Sequence, residues 1–137
     1  RYVVVMMVRQ PDILVSSDGH SVAVRDREGR LRVMRSAKDA FLVREWLAAD
    51  ADSRVATDPA LSNGVSCDPD GCVVEMADGR LVALALQPEA LADDCVRATV
   101  VVTSRQAPAD CGALVIDQER LRRQGTLALR RKGEGSQ

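Results

Sequence analysis

Short runs of alternating apolar and polar residues, separated by Gly-containing turns, mark the first third of the chain. Residues 12–16 (DILVS) form a short apolar strand candidate. Ser17-Asp18-Gly19-His20 follows as a turn in which glycine can take positive φ. In residues 21–25, Val22 and Val24 fall on one face; residues 26–29 turn; then Arg30-Leu31-Arg32-Val33 alternates charged and apolar. This pattern predicts a hairpin with one wet face. Ser36 and Asp39 resemble a capping box and predict a helix over about residues 37–49. Leu42, Val43, Trp46 and Leu47 form its apolar stripe. Residues 50–63 read as a polar loop.

The pattern then returns. Asp70-Gly71 precedes a strand over residues 72–77, and Asp78-Gly79 is a hairpin turn signal. Residues 80–86 (RLVALAL) are apolar on both faces, as a central strand requires, and Pro88 suits the first turn of a helix reaching Val96. Residues 18–47 and 70–96 therefore read either as two copies of one unit, implying a two-fold layered sheet, or as a chance likeness. Residues 99–103 (TVVVT) and 113–116 are further strands. Asp117 caps a helix that ends before Gly125, with Leu121 pointing inward, and residues 126–129 form a last strand. Residues 132–137 look like a disordered tail. Hairpins early, with strands and helices alternating late, predict an α+β fold: a mixed sheet with flanking helices.

At 137 residues the chain has the size of one domain, and 46% hydrophobic with 28% charged residues fits a folded one. Only Tyr2, Phe41 and Trp46 are aromatic, so the core rests on Val, Leu, Ala and Met, with few platforms for stacking bases. A net charge of −1 and a pI of about 5.9 give no global basic field, so contact with nucleic acid needs a local patch. The basic residues cluster late, at Arg120, Arg122, Arg123, Arg130, Arg131 and Lys132. They read either as an ordinary solvated face with terminal charges or as phosphate contacts without sequence readout. Residues 2–8 (YVVVMMV) are apolar but fall short of the roughly 20 residues of a membrane helix. They read as a buried edge strand or as the end of a membrane helix in a longer protein. No small-residue cleavage site follows, so a signal peptide fits poorly.

His20, the single histidine, stands on a turn, whereas catalytic zinc takes three protein ligands, most often with several histidines. Cys67, Cys72, Cys95 and Cys111 are spaced C-x4-C, 22 residues, then C-x15-C. Separate buried thiols, one or two disulfides, and zinc are the three readings; the second pair is too wide for a zinc knuckle. Cys67 and Cys72 flank Asp68-Pro69-Asp70-Gly71, which would set them opposite each other across a hairpin. Disulfides would imply an oxidising compartment such as the bacterial periplasm. No cysteine has a nearby histidine in a nucleophile arrangement. Asp50-Ala51-Asp52-Ser53-Arg54 begins like a calcium loop but has Arg54 at the third ligand and lacks the turn glycine, so it reads as a solvated loop. No Gly-rich phosphate cradle occurs, since Gly133-Glu134-Gly135 belongs to the tail. The residues thus predict no catalytic residue, no metal site, no cofactor and no small-molecule substrate.

Pro11-Asp12-Ile13-Leu14-Val15, with Asp18-Gly19 and Val22-Ala23-Val24-Arg25, opens an ordered series of short motifs. It continues through Gly29-Arg30-Leu31, Glu45-Trp46-Leu47-Ala48-Ala49-Asp50, Cys67-Asp68 and Gly71-Cys72, then Ala77-Asp78-Gly79-Arg80-Leu81-Val82-Ala83-Leu84, then Cys111 with Val115-Ile116-Asp117. The series resembles the C-terminal region of ComEC-type competence proteins, inner-membrane DNA-uptake channels, in their alphaproteobacterial form. The resemblance extends over about residues 11–131, with residues 1–10 as an edge strand or membrane-proximal end and residues 132–137 as the tail.

In many relatives this region is a metallo-β-lactamase-like domain. It carries an H-x-H-x-D-H loop after an early strand, an Asp after a later one and a His-His-Gly-Ser stretch after an apolar one. Here residues 30–35 lead straight into the helix at Ala37, Leu84-Ala85-Leu86 is followed by Gln87, and TVVVT by Ser104-Arg105-Gln106. The matched positions lack ligands, so the resemblance implies truncated or degenerate layers of that fold without its hydrolase chemistry. It further implies a non-catalytic soluble domain that supports DNA internalisation in natural transformation, on the periplasmic side of the inner membrane. Its partners would be the channel part of the same parent protein and DNA, held non-specifically by Arg122, Arg123, Arg130, Arg131 and Lys132. The alternatives are a metal-dependent nuclease acting on incoming DNA and a purely structural protein-interaction domain.

Overall fold

A computed structural model describes residues 10–35 and 40–130. The expectations for residues 2–8, for the Ser36–Asp39 cap and the helix start at Ala37, and for Arg131, Lys132 and the tail lie outside that range. Strands β1 (Ile13–Val15), β2 (Ser21–Arg25) and β3 (Leu31–Arg35) form an antiparallel meander, followed by helix α1 (Ala40–Ala49). After a 3-10 turn at Pro59–Ser62, β4 (Ser66–Asp68), β5 (Gly71–Glu75) and β6 (Leu81–Ala85) form a second meander, followed by α2 (Pro88–Arg97). Strands β7 (Val100–Thr103) and β8 (Leu114–Ile116) then add to β6 in parallel. Helix α3 (Gln118–Gln124) leads into β9 (Leu127–Leu129), which crosses back to pair antiparallel with β1. The sheet orders are β3-β2-β1-β9 and β4-β5-β6-β7-β8, an α+β fold whose second sheet is mixed.

The two halves repeat the order strand, strand, strand, helix, with their central hairpins at one interval. The starts of β2 and β5 (21 and 71) and of β3 and β6 (31 and 81) are each separated by 50 residues. Their turns use one hydrogen-bond plan. Asp26 N–H donates to Arg30 C=O (2.8 Å) and Gly29 N–H to Asp26 C=O (3.0 Å); Met76 N–H donates to Arg80 C=O (2.7 Å) and Gly79 N–H to Met76 C=O (2.9 Å). The third loop residue is left-handed in both, Gly29 at φ 84° and Gly79 at φ 90°. That is the bulged three-residue hairpin, where a side chain would strain the backbone. The turns also meet, through Arg27 Nε donating to the Ala77 carbonyl at 3.3 Å.

Period-two alternation sorts each strand between two cores. Val22 and Val24 of β2 face the second sheet and pack with Val74, Val82, Leu84, Val102 and Ile116. Ala23 faces the other way, with Leu31 and Val33, against Val43, Trp46 and Leu47 of α1. On the far side, Ala83, Ala85 and Val101 meet Leu91 of α2 and Ala98. The result is four layers, helix on sheet on sheet on helix, with three apolar interfaces. The expected wet face of the first hairpin is therefore overturned: all five residues of β2 are buried. The helix-facing side of each meander mixes alanine with larger residues, Ala23 with Leu31 and Val33 in the first and Ala83 and Ala85 with Val73 and Leu81 in the second.

Local signals account for most elements. Pro88 opens α2, and the Asp117 side chain accepts from Arg120 N–H to cap α3. Strand β4 was not legible, because Ser66-Cys67-Asp68 is exposed and polar throughout. Among the described residues no helix is long and apolar enough to cross a membrane.

If the two hairpins are equivalent devices, Gly29→Ala and Gly79→Ala should each destabilise the chain by about 1–2 kcal/mol, the cost of a left-handed L-residue. Nothing lies within 4 Å of either added Cβ, so the effect is conformational. Urea unfolding of the two variants should give similar losses with unchanged m-values.

Candidate functional site

Parallel strands gather their carboxyl ends at one end of a sheet, where loops are free to carry function. Here β6, β7 and β8 end together at Ala85, Thr103 and Ile116. Arg105 holds these ends in place: its Nε donates to the Leu86 carbonyl (3.0 Å) and its Nη2 to Gln87 Oε1 (3.3 Å), while its own carbonyl accepts from Gln118 N–H (3.1 Å). The turn between β1 and β2 joins them, since a Cβ built on Gly19 would lie 2.9 Å from Leu121 Cδ1 and 3.2 Å from the Ser104 backbone. The two described stretches in which the resemblance calls for ligands, Gln87 and Ser104-Arg105-Gln106, are thus neighbours at one end of the sandwich.

The His20 turn completes this end. Asp18 accepts from the Ser16 hydroxyl (2.6 Å) and the His20 N–H (2.9 Å), and His20 Nδ1 lies 3.7 Å from its other oxygen. Ser16 Oγ in turn accepts from Ser21 N–H at 3.1 Å. Burial pushes the Asp18 carboxyl up, but the bonds from Ser16 and His20, with the imidazole's charge, outweigh it and hold the group below the usual carboxylate range. The Ser16 proton is directed at a carboxylate, an arrangement that fixes a turn. Among the described residues, no three His, Cys, Asp or Glu side chains come together as a metal site.

All four cysteines are paired. Cys67–Cys72 links directly opposite residues of β4 and β5, with Cα atoms 4.1 Å apart, and Cys95–Cys111 ties α2 to the loop between β7 and β8. A groove of about 300 Å³ beside the first bridge is lined by Asp68, Asp70, Glu89, Asp93 and Asp94. Burial, with Asp93 and Asp68 close by, pushes the Asp94 carboxyl up. This flank is anionic and repels phosphate.

Arg122 and Arg123 are exposed on α3, and Arg130 is exposed just past β9. Among the described residues they leave opposite ends of β9, a strand spanning on the order of 10 Å. The Arg105 carbonyl meets the first residue of α3, Gln118, whereas Arg122 and Arg123 stand in its last turn.

The reading of residues 50–54 as a solvated loop is corrected. Asp50 makes a two-pronged pair with Arg25 (2.9 and 3.0 Å), and Asp52 pairs with Arg54 at 2.6 Å. The Asp52 and Arg54 side chains are only 6% and 8% exposed. Arg25 also donates to the Pro11 and Gly29 carbonyls, and Arg54 to that of Leu31. Hydrogen bonds from Arg54 outweigh the burial cost and hold Asp52 at about 2. The acidic residues of the loop are thus consumed by arginines of the same half. Comparison with family models, curated proteins and solved structures found no match.

Because the folded Asp52 titrates below its unfolded value, the stability it contributes is complete above about pH 4 and is lost as pH falls toward 2. Asp52→Asn should flatten that part of the acid-unfolding profile. Arg25→Ala, which leaves Asp50 buried without its partner, should cost about 3–5 kcal/mol in chemical denaturation. Loop length sets a further contrast. Serine replacement of Cys95 and Cys111, 16 residues apart, should cost about 3 kcal/mol, and of Cys67 and Cys72, 5 apart, about 2, as read from denaturation midpoints.

Proposed function

We propose that this chain is a non-catalytic domain of a ComEC-like inner-membrane DNA-uptake channel and supports DNA internalisation in natural transformation. The observation that carries the reading is the chemistry at the carboxyl ends of β6 and β7. Gln87 and Arg105 stand in the stretches where the resemblance calls for metal ligands, and Arg105 donates to the Gln87 side chain and to the Leu86 carbonyl. Side chains that brace loops are what remains useful in a domain that has given up hydrolysis and kept its shape. The α+β fold with its mixed second sheet supports the reading. Two disulfides favour an oxidising compartment, hence the periplasmic side of that membrane.

In this role the domain meets DNA through backbone charge alone. Arg122 and Arg123, exposed on α3, are the cationic contacts offered to the strand, and the acidic groove beside Cys67–Cys72, where the Asp70 carbonyl accepts from Gln87 N–H, keeps phosphate from that part of the surface. A purely structural domain is the second reading, favoured by the separation of Arg130 from Arg122 and Arg123.

A salt series on the 137-residue chain with single-stranded DNA distinguishes them. The DNA-guiding reading expects binding that weakens with salt, with the log–log slope reduced by about 0.7 for each phosphate contact removed by Arg122→Ala or Arg123→Ala. No binding at low salt would leave the structural reading. Metal-dependent cleavage of the DNA would overturn both and point to a nuclease.

A further inference from the structure

We propose that one corner of the sandwich binds a medium-chain fatty acid, with the alkyl chain between the sheets and the carboxylate at Arg130. The corner stands at the opposite end of the strands from Gln87 and Arg105, so the inference is independent of the DNA-uptake reading. Strands β6, β7 and β8 begin there, at Leu81, Val100 and Leu114, and β1 meets β9 there through the pair Ile13 and Leu129. Leu114 shares a face with Ile116, two positions on, which is fully buried between the sheets. Leu114 itself is 47% exposed, so among the described residues the core between the sheets opens at this corner. The opening leads into a cleft of about 340 Å³, at the lower end of the range for ligand pockets. Its floor is Ile13, Met76 and Val100, all buried, and its rim carries Leu114, Arg80 and Arg130.

Shape and charge select the ligand. Arg80 directly precedes β6 and Leu114 begins β8, two strand spacings away, so the cleft runs for about 10 Å across the strands. An apolar trough of that length suits an extended alkyl chain. Among the described residues two guanidinium groups and no carboxylate line it, so it favours an anion over a cation. Arg80 is held by Asp78, which accepts from its Nε at 2.8 Å and its Nη2 at 2.6 Å. The exposed Arg130 guanidinium pairs with no carboxylate among the described residues and is the one left for a ligand. The carboxylate of the fatty acid therefore falls at Arg130, and the chain runs from there over Val100 toward Met76. Each methylene taken out of water strengthens binding about four-fold.

The test titrates the full 137-residue chain with hexanoate, octanoate and decanoate, each below its micelle concentration, and follows the methyl resonances of Ile13, Leu114 and Leu129. The expected result is saturable one-to-one binding that moves these three resonances and tightens by about four-fold per methylene along the series. Arg130→Gln should weaken octanoate by about ten-fold and leave octanol unchanged, because the lost contact is to the carboxylate alone. Absence of saturable decanoate binding, or resonance shifts confined to another part of the molecule, would overturn the proposal. So would octanol binding as tightly as octanoate, or octanoate affinity untouched in Arg130→Gln, since the cleft would then be an apolar surface without an anion site. Vesicles of anionic phospholipid that bind the chain when monomeric decanoate does not would overturn it in favour of a membrane contact.

Discussion

Arg25 is the point on which the first half turns. It ends β2 inside a sheet covered on both faces, where a free guanidinium would be costly. Its fork meets both oxygens of Asp50, just beyond the end of α1, and its remaining donors reach the Pro11 and Gly29 carbonyls. One side chain therefore fixes the entry to β1, the turn after β2 and the far end of the covering helix. The second half has no such hub. There Glu75 takes the place of Arg25, and α2 is secured covalently by Cys95–Cys111. An ion pair thus anchors α1 over its own meander, whereas a disulfide ties α2 to the loop between β7 and β8.

With almost no aromatic residues, the three interfaces depend on close fit between small side chains. Alanine recurs where helix meets sheet, at Ala23, Ala83 and Ala85, whereas valine and leucine fill the space between the sheets. Small residues let α1 and α2 approach the sheets closely, and β-branched residues stiffen the strands they pack against.

The hairpins, the caps at Asp117 and the Pro88 start were legible in the sequence because each signal lies within a few residues of the structure it specifies. The two-sided burial of β2 was not. Arg32 looks like a solvent-facing residue until Asp26, which pairs with it at 3.3 Å, is placed in space. The same holds for Asp50, whose partner is 25 positions away. Strand β4 lacked any apolar signature, and its pairing is specified by a cysteine opposite a cysteine. At the candidate site, Gln87 and Arg105 stood out only against the resemblance. Their mutual contact depends on the parallel alignment of β6 and β7, which no local pattern encodes.

The last strand completes the first sheet. Ile13 is opposite Leu129, so one edge of the sheet built from the earliest described residues is supplied by almost the latest. Synthesis proceeds from the amino end, and the meander of β1 to β3 emerges long before β9 exists. Until Leu129 has been made, that sheet exposes β1 as an unpaired apolar edge. The half-made protein is thus open to mispairing with another chain over much of its own production, and a pause in translation before β9 would extend that interval.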